Sequence, residues 1–129
     1  MRIFRGWLAT VFGAAALGAC ASGPQSLTGT ICTLEARSSF AVMVVDSASG
    51  TALRSGATVR VTEGAFSDTL VAPAAAASVY SGGVYERPGT YTVAVSHPDY
   101  RPWQRTGVAV SRDACHVQTQ PVTARLQRR

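Results

Sequence analysis

The sequence predicts an all-β fold, a seven-stranded antiparallel β-sandwich carried behind an export leader and a flexible tether. Three observations predict it. Short runs rich in Val, Thr, Tyr and Phe recur from residue 40 to residue 126, several alternating strictly, which is the period of a half-buried strand. Clusters of Gly, Pro, Asp and Ser separate these runs, where turns require them. No long stretch repeats apolar residues with the 3.6-residue period of a helix, so stacked sheets are left as the way to bury the apolar faces.

The leader comes first. Met1-Arg2-Ile3-Phe4-Arg5 is a short basic stretch, and the apolar run Trp7 through Leu17 follows it. That is the build of a signal peptide over residues 1–19, too short for a bilayer core that takes roughly 20 residues to cross. Leu17-Gly18-Ala19-Cys20 resembles the bacterial lipobox, with Leu three positions before Cys and two small residues between. The resemblance implies a thioether lipid on Cys20, cleavage before it and acylation of the new amino terminus. Membrane lipid is then a partner, held by several acyl chains where one would not suffice. An ordinary secretory signal cut after Ala19 or Ala21 is the alternative. Ala21, in place of Asp, implies a lipid-anchored place in the cell envelope at an outer membrane, on its periplasmic face or surface. Residues 20–30 form the lipidated Cys and tether, small, polar and punctuated by Gly23, Pro24 and Gly29, and residues 31–129 the β-sandwich domain.

Phe40-Ala41-Val42-Met43-Val44-Val45 is nearly continuous in apolar residues and predicts a strand covered on both faces. Asp46-Ser47-Ala48-Ser49-Gly50 ends it in a turn. Thr58-Val59-Arg60-Val61-Thr62 alternates, Val in and Arg out, until Glu63-Gly64 closes it. Phe66 to Val71 predicts a third strand, and Pro73 with Ala74–Ala77 a helical turn or a loop. Val79-Tyr80 and Val84-Tyr85 flank Gly82-Gly83, a weak or bulged strand. Arg87-Pro88-Gly89-Thr90 predicts a type II turn. Tyr91, Val93 and Val95 share one face of the next strand, His97-Pro98-Asp99 turns the chain, and Trp103 to Val110 is a further strand. The last runs from His116 through Val117, Val122 and Leu126, with Pro121 placing it at an edge.

A family resemblance rides on the turn residues. Val45-Asp46, Ser49-Gly50, Leu53, Gly56-Ala57 and Val59 resemble the opening of carboxypeptidase regulatory-like domains. So do Gly83-Val84-Tyr85, Gly89-Thr90-Tyr91-Thr92-Val93 and Tyr100-Arg101-Pro102 before Val108 and Val110. The resemblance covers roughly residues 40–111 and implies a transthyretin-like (prealbumin-like) Greek-key sandwich, non-catalytic despite the family name. The chain departs from the pattern at Ala52, Glu86 and Asp99, where Pro, an apolar residue and Gly are usual. The motif positions are turn glycines and core residues, so they imply architecture and not chemistry. A transthyretin-related hydroxyisourate hydrolase would carry a His on the first strand and a closing Tyr-Arg-Gly-Ser. This chain has Ala41-Val42-Met43-Val44 and Ala124-Arg125-Leu126-Gln127-Arg128-Arg129 in those places.

Charge and cysteines bound the function. All twelve basic residues are Arg; without Arg2 and Arg5 of the leader, ten face seven acids (10 − 7 = +3). They are scattered, which argues against a nucleic-acid partner. Lipidation of Cys20 leaves Cys32 and Cys115, an even pair in an oxidising compartment and an expected disulfide. No Cys-x-x-Cys occurs, and Cys115-His116 has only His97 to help it, so neither redox chemistry, metal nor cofactor is expected. Asp46, Asp68 and Asp99 sit in or near turns, where Asp is favoured without calcium. No Gly-x-Ser-x-Gly and no Lys is present, which removes the common nucleophile arrangements. No catalytic residue is assigned, and the expected role is a binding or structural module of the envelope whose partner is a protein. A carbohydrate or peptidoglycan binder and an uncharacterised hydrolase are the alternatives. Tyr100 and Trp103 are the candidate binding residues: an exposed row of Trp103 with tyrosines would favour a glycan. A hydrolase would need a concavity holding His97 or His116 with a carboxylate in reach.

Overall fold

Val59 and Val61 alternate with Thr58, Arg60 and Thr62, and such alternation can bury only one face of a strand. Repeated along the chain, it yields two sheets packed by their apolar faces. The computed structural model describes residues 29–74 and 77–129. The expected signal peptide, Cys20 and tether up to residue 28 lie outside the described residues, as do Ala75 and Ala76. Strand β1 (Phe40–Asp46) lies between β4 (Val79–Tyr80) and β7 (Gln120–Leu126) in a three-stranded sheet. Strands β2 (Thr58–Glu63), β3 (Phe66–Leu70), β5 (Gly89–Ser96) and β6 (Trp103–Val110) form the second sheet, in the order β3-β2-β5-β6. Among the described residues there is no helix; the Pro73–Ala77 stretch contributes one hydrogen bond from Ala77 N to Ala74 O (2.9 Å).

The core lies between the sheets. Phe40, Val42 and Val44 of β1 and Val122, Ala124 and Leu126 of β7 face Val59, Val61, Tyr91, Val93 and Val95 of the other sheet, all buried. Phe40 and Phe66 both meet the Tyr91 ring edge-on, with centroids 5.0 and 6.3 Å away, the geometry the ring quadrupole favours. Cys32 and Cys115 are joined in a disulfide, their Cα atoms 5.2 Å apart.

Four local expectations are corrected. β1 is not covered on both faces: Met43 is exposed on its outer side, because among the described residues no third layer lies over the three-stranded sheet. Val45 is nonetheless buried, under the loop that bridges back through Ala52. Pairing is not antiparallel throughout, since β1 and β7 run parallel from Phe40↔Gln120 to Asp46↔Leu126; the long connection through the opposite sheet makes that direction possible. The last strand begins at Gln120 and not at His116, because the Asp113 side chain ties residues 115 and 116 into a loop. Finally, residues 87–90 are no type II turn. Gly89 has φ +155° and already pairs with Val110, far from the roughly +80° that turn requires. The cause is Glu63, whose carboxylate accepts from Thr90 N (2.9 Å) and pairs with Arg87 Nη2 (3.0 Å). It fills the place where a Gly89 Cβ would lie.

Candidate functional site

Parallel pairing puts the starts of β1 and β7 at one pole of the sandwich and their ends at the other. The end pole holds the first candidate, Tyr100. It is 4% exposed, and its hydroxyl donates to Asp46 Oδ2 (2.9 Å). Arg128 Nε donates to the same oxygen (2.8 Å), while Ala48 N and Ser49 N donate to Oδ1 (2.8 and 3.1 Å). The Arg128 guanidinium, then the Ser49 amide, hold the Asp46 carboxyl well below the usual carboxylate range. Burial, and next the bond to Asp46, push the Tyr100 hydroxyl up. This network closes the end of the sandwich, and Tyr100 presents no ring face to solvent. Tyr80 and Tyr91 are buried as well, and only Tyr85, 52% exposed, shows much surface. Trp103 is half-buried against the core. No row of Trp103 with two exposed tyrosines forms.

His97 stacks edge-on against Tyr100 with centroids 4.9 Å apart. Its Nε2 faces the Ser55 carbonyl (3.2 Å) and its Nδ1 accepts from Asp99 N (3.2 Å). A carbonyl can only accept, so Nε2 carries the hydrogen and both ring nitrogens are used within the loop. Asp68 accepts from its neighbour Thr69 N. Among the described residues no three His, Cys, Asp or Glu side chains come together as metal ligands.

The start pole holds more chemistry. Residues 37–39 pair with residues 84–86 through Ser39 N to Val84 O (2.9 Å) and Glu86 N to Arg37 O (3.0 Å). Glu86 sits at φ +49°, a region few residues other than Gly enter. Its carboxylate offsets that conformation. Oε1 accepts from Arg37 N (2.8 Å) and His116 Nδ1 (2.7 Å), and Oε2 from Val117 N (3.2 Å). The Arg37 amide, then the His116 ring, draw the Glu86 carboxyl below its ordinary range. On the far side of His116, Nε2 lies 3.0 Å from Thr33 Oγ1. A carboxylate can only accept, so Nδ1 carries a hydrogen toward Glu86, and in neutral His116 Nε2 then accepts from the Thr33 hydroxyl. Asp113 Oδ1 accepts from Cys115 N and His116 N (both 2.8 Å), which fixes the cystine and the ring together.

No known family model and no curated protein matches the chain. The site is therefore read on its own residues. His116 is 8% exposed, and shallow concavities of about 290 and 240 Å³ flank it. Thr33 and His116 line both, with Arg37 and Asp113 on one side and Glu86 and Arg112 on the other. Hydroxyl, imidazole and carboxylate stand here in hydrogen-bond succession, the order of a nucleophile, its base and the group that orients the base. In the sequence Thr33 stands unmarked among the residues before β1, and His116 reads as a residue beside a cystine. The one signal was Glu86, a charged residue where the resemblance expects an apolar one.

Proposed function

We propose that the protein is a lipid-anchored module of the cell envelope that works by binding a protein partner. The observation that carries this reading is the free edge of β6. That strand is eight residues long and, among the described residues, its one strand partner is β5. The segments just before and after it meet the end and the lead-in of β7; the other edges are shorter or interrupted. β4 has two residues, β3 five, and β7 carries Pro121. A bulge at Gly107 (φ +68°) interrupts this edge, and the stretch Trp103–Thr106 before it is the template for strand addition. Gln104, Arg105 and Thr106 are exposed along it, with Arg101 just before, and neither β5 nor β6 contains an acid. An open groove of about 420 Å³ crosses the outer face of the sheet over Thr58, Arg60, Ala94, Ser96, Trp103 and Gln104, from β2 to β6. An extended segment bearing acids fits this surface. Burial of Tyr80, Tyr91 and Tyr100 counts against the glycan reading.

The envelope location rests on the leader and Cys20, supported by the Cys32–Cys115 disulfide, which belongs in an oxidising compartment. The finer fold reading is a transthyretin-like Greek key of the carboxypeptidase regulatory-like kind. The β2–β3 hairpin followed by a crossing to β4 and a return to β5 beside β2 supports it. So do the motif glycines 50, 56, 83 and 89, all at positive φ. The test is photo-crosslinking in intact cells from Gln104 and Thr106 of β6, with Ser67 of β3 as control. A protein captured from β6 and not from Ser67 is expected; capture of none from an intact envelope would overturn the binding reading.

A second reading, hydrolysis through Thr33, is favoured by the Thr33–His116–Glu86 succession and its flanking concavities. A fluorophosphonate probe tests it. An adduct on Thr33 that His116→Asn abolishes supports acyl transfer, and an unlabelled protein removes it.

A further inference from the structure

We infer that the start pole docks on the bilayer through Ile31 and Leu34, so that the domain lies against the membrane; this rests on the lipid anchor proposed at Cys20. Ile31 is 95% and Leu34 105% exposed, the most open of the exposed large apolar side chains, and they lie three positions apart. Water is a poor solvent for two such exposed aliphatic side chains, one beside each concavity at this pole. The segment that carries them is tied down between them and beyond them. Between them, Cys32 is bonded to Cys115 and Thr33 to His116, and beyond them Arg37 N and O are both bonded to residue 86. The segment is therefore held out from the sandwich by contacts that leave both aliphatic side chains free.

Chain length names the occupant. Ile31 stands eleven positions after Cys20, and eleven residues reach about 40 Å at full extension. A lipid on Cys20 keeps this pole within that distance of the bilayer, and insertion becomes an intramolecular event at high effective concentration. Charge decides the kind of lipid contact. Arg37 and Arg112 border the concavities here, but Glu35, Glu86 and Asp113 border them too. With no excess of positive charge, insertion is driven by the aliphatic side chains and does not require anionic headgroups.

The test uses the full chain in phosphatidylcholine vesicles, with Leu34→Trp as probe and Ser49→Trp, at the opposite pole, as control. Trp103 gives a background common to both, and Trp7 leaves with the leader when Cys20 is lipidated. Brominated phosphatidylcholine should quench the Leu34→Trp signal at least about twofold more than the Ser49→Trp signal, with a blue-shifted emission, and to the same extent in about 0.5 M salt. Equal quenching at both positions on a chain whose Cys20 lipid is verified by mass overturns the inference and leaves the anchor standing. A chain found without lipid on Cys20 overturns the anchor instead. On that chain, selective quenching at position 34 still upholds the lipid-facing pole, and its absence overturns that too. Both substitutions fall on exposed positions, so folding is not at stake.

Discussion

Replacing Cys32 and Cys115 together by Ala removes a cross-link that spans 83 positions. In the chain-entropy description, closing a loop of that length lowers the entropy of the unfolded chain enough to stabilise the fold by about 4.5 kcal/mol at 25 °C. For a domain of this size, that corresponds to a fall in Tm of roughly 20 °C. The folded sandwich loses little directly, because the bond lies outside both sheets and the core does not include it. The effect falls on the unfolded ensemble, which expands when released, so the urea m-value should rise as the midpoint drops. Equilibrium unfolding without reductant, followed by tryptophan fluorescence and far-ultraviolet circular dichroism, reads both quantities. A loss under about 1 kcal/mol with an unchanged m-value would refute the reasoning. It would mean that residues 29–37 separate from the sandwich before the sandwich unfolds.

Three further outcomes follow from the packing and the charges. Phe40→Ala empties a fully buried site against the Tyr91 ring and should cost about 3–5 kcal/mol in urea unfolding. Gly89→Ala places a methyl group on the Glu63 carboxylate at a φ few side chains adopt, costing about 1–3 kcal/mol. Glu63→Ala in the same chain should recover the steric part only, as a double-mutant cycle would show. The Asp46 carboxyl is held low by Arg128, and Glu86 and Asp113 are held low by backbone amides. Groups depressed in the folded state contribute stability above the ordinary carboxylate range, near pH 4, and lose it as pH falls toward their folded values. Thermal melts from pH 6 down to pH 2 should show that loss. Asp46→Asn should flatten the acid limb, and an unchanged limb would remove Asp46 from the account.

What could be read from the sequence was local. The alternation of β2 and β5 needs no partner to be seen, and the strand Trp103–Val110 stands where its composition and bounding turns put it. The disulfide followed from counting cysteines. What escaped depends on distant partners. Glu86 holds a left-handed conformation because residues 37, 116 and 117 all donate to it, and nothing within its own neighbourhood carries that information. Tyr100, near its turn, reads as either an exposed binding residue or a cap on the sandwich end; it is the cap because Asp46 and Arg128 converge on its hydroxyl and ring. Thr33 falls in a stretch that reads as the start of a domain, and only the bond between residues 32 and 115 brings it to His116. The parallel partnership of β1 and β7 joins residues about 80 positions apart, and alternation along either strand is blind to direction.

That partnership also determines how the molecule bears tension. In a chain without its disulfide, a pull between residue 32 and the end of β7 would load β1 and β7 in opposite senses along their length, so seven aligned residue pairs would share the load in shear and not open one after another. The disulfide shortens the load path. From Cys32 the force passes directly to Cys115, and only the eleven positions from there to Leu126 can lengthen. The chain would yield at most about 40 Å between those points, where the unlinked polypeptide would yield about 330 Å. With its cystine intact, the sandwich is a short, nearly inextensible link, and most of its strands never feel the load.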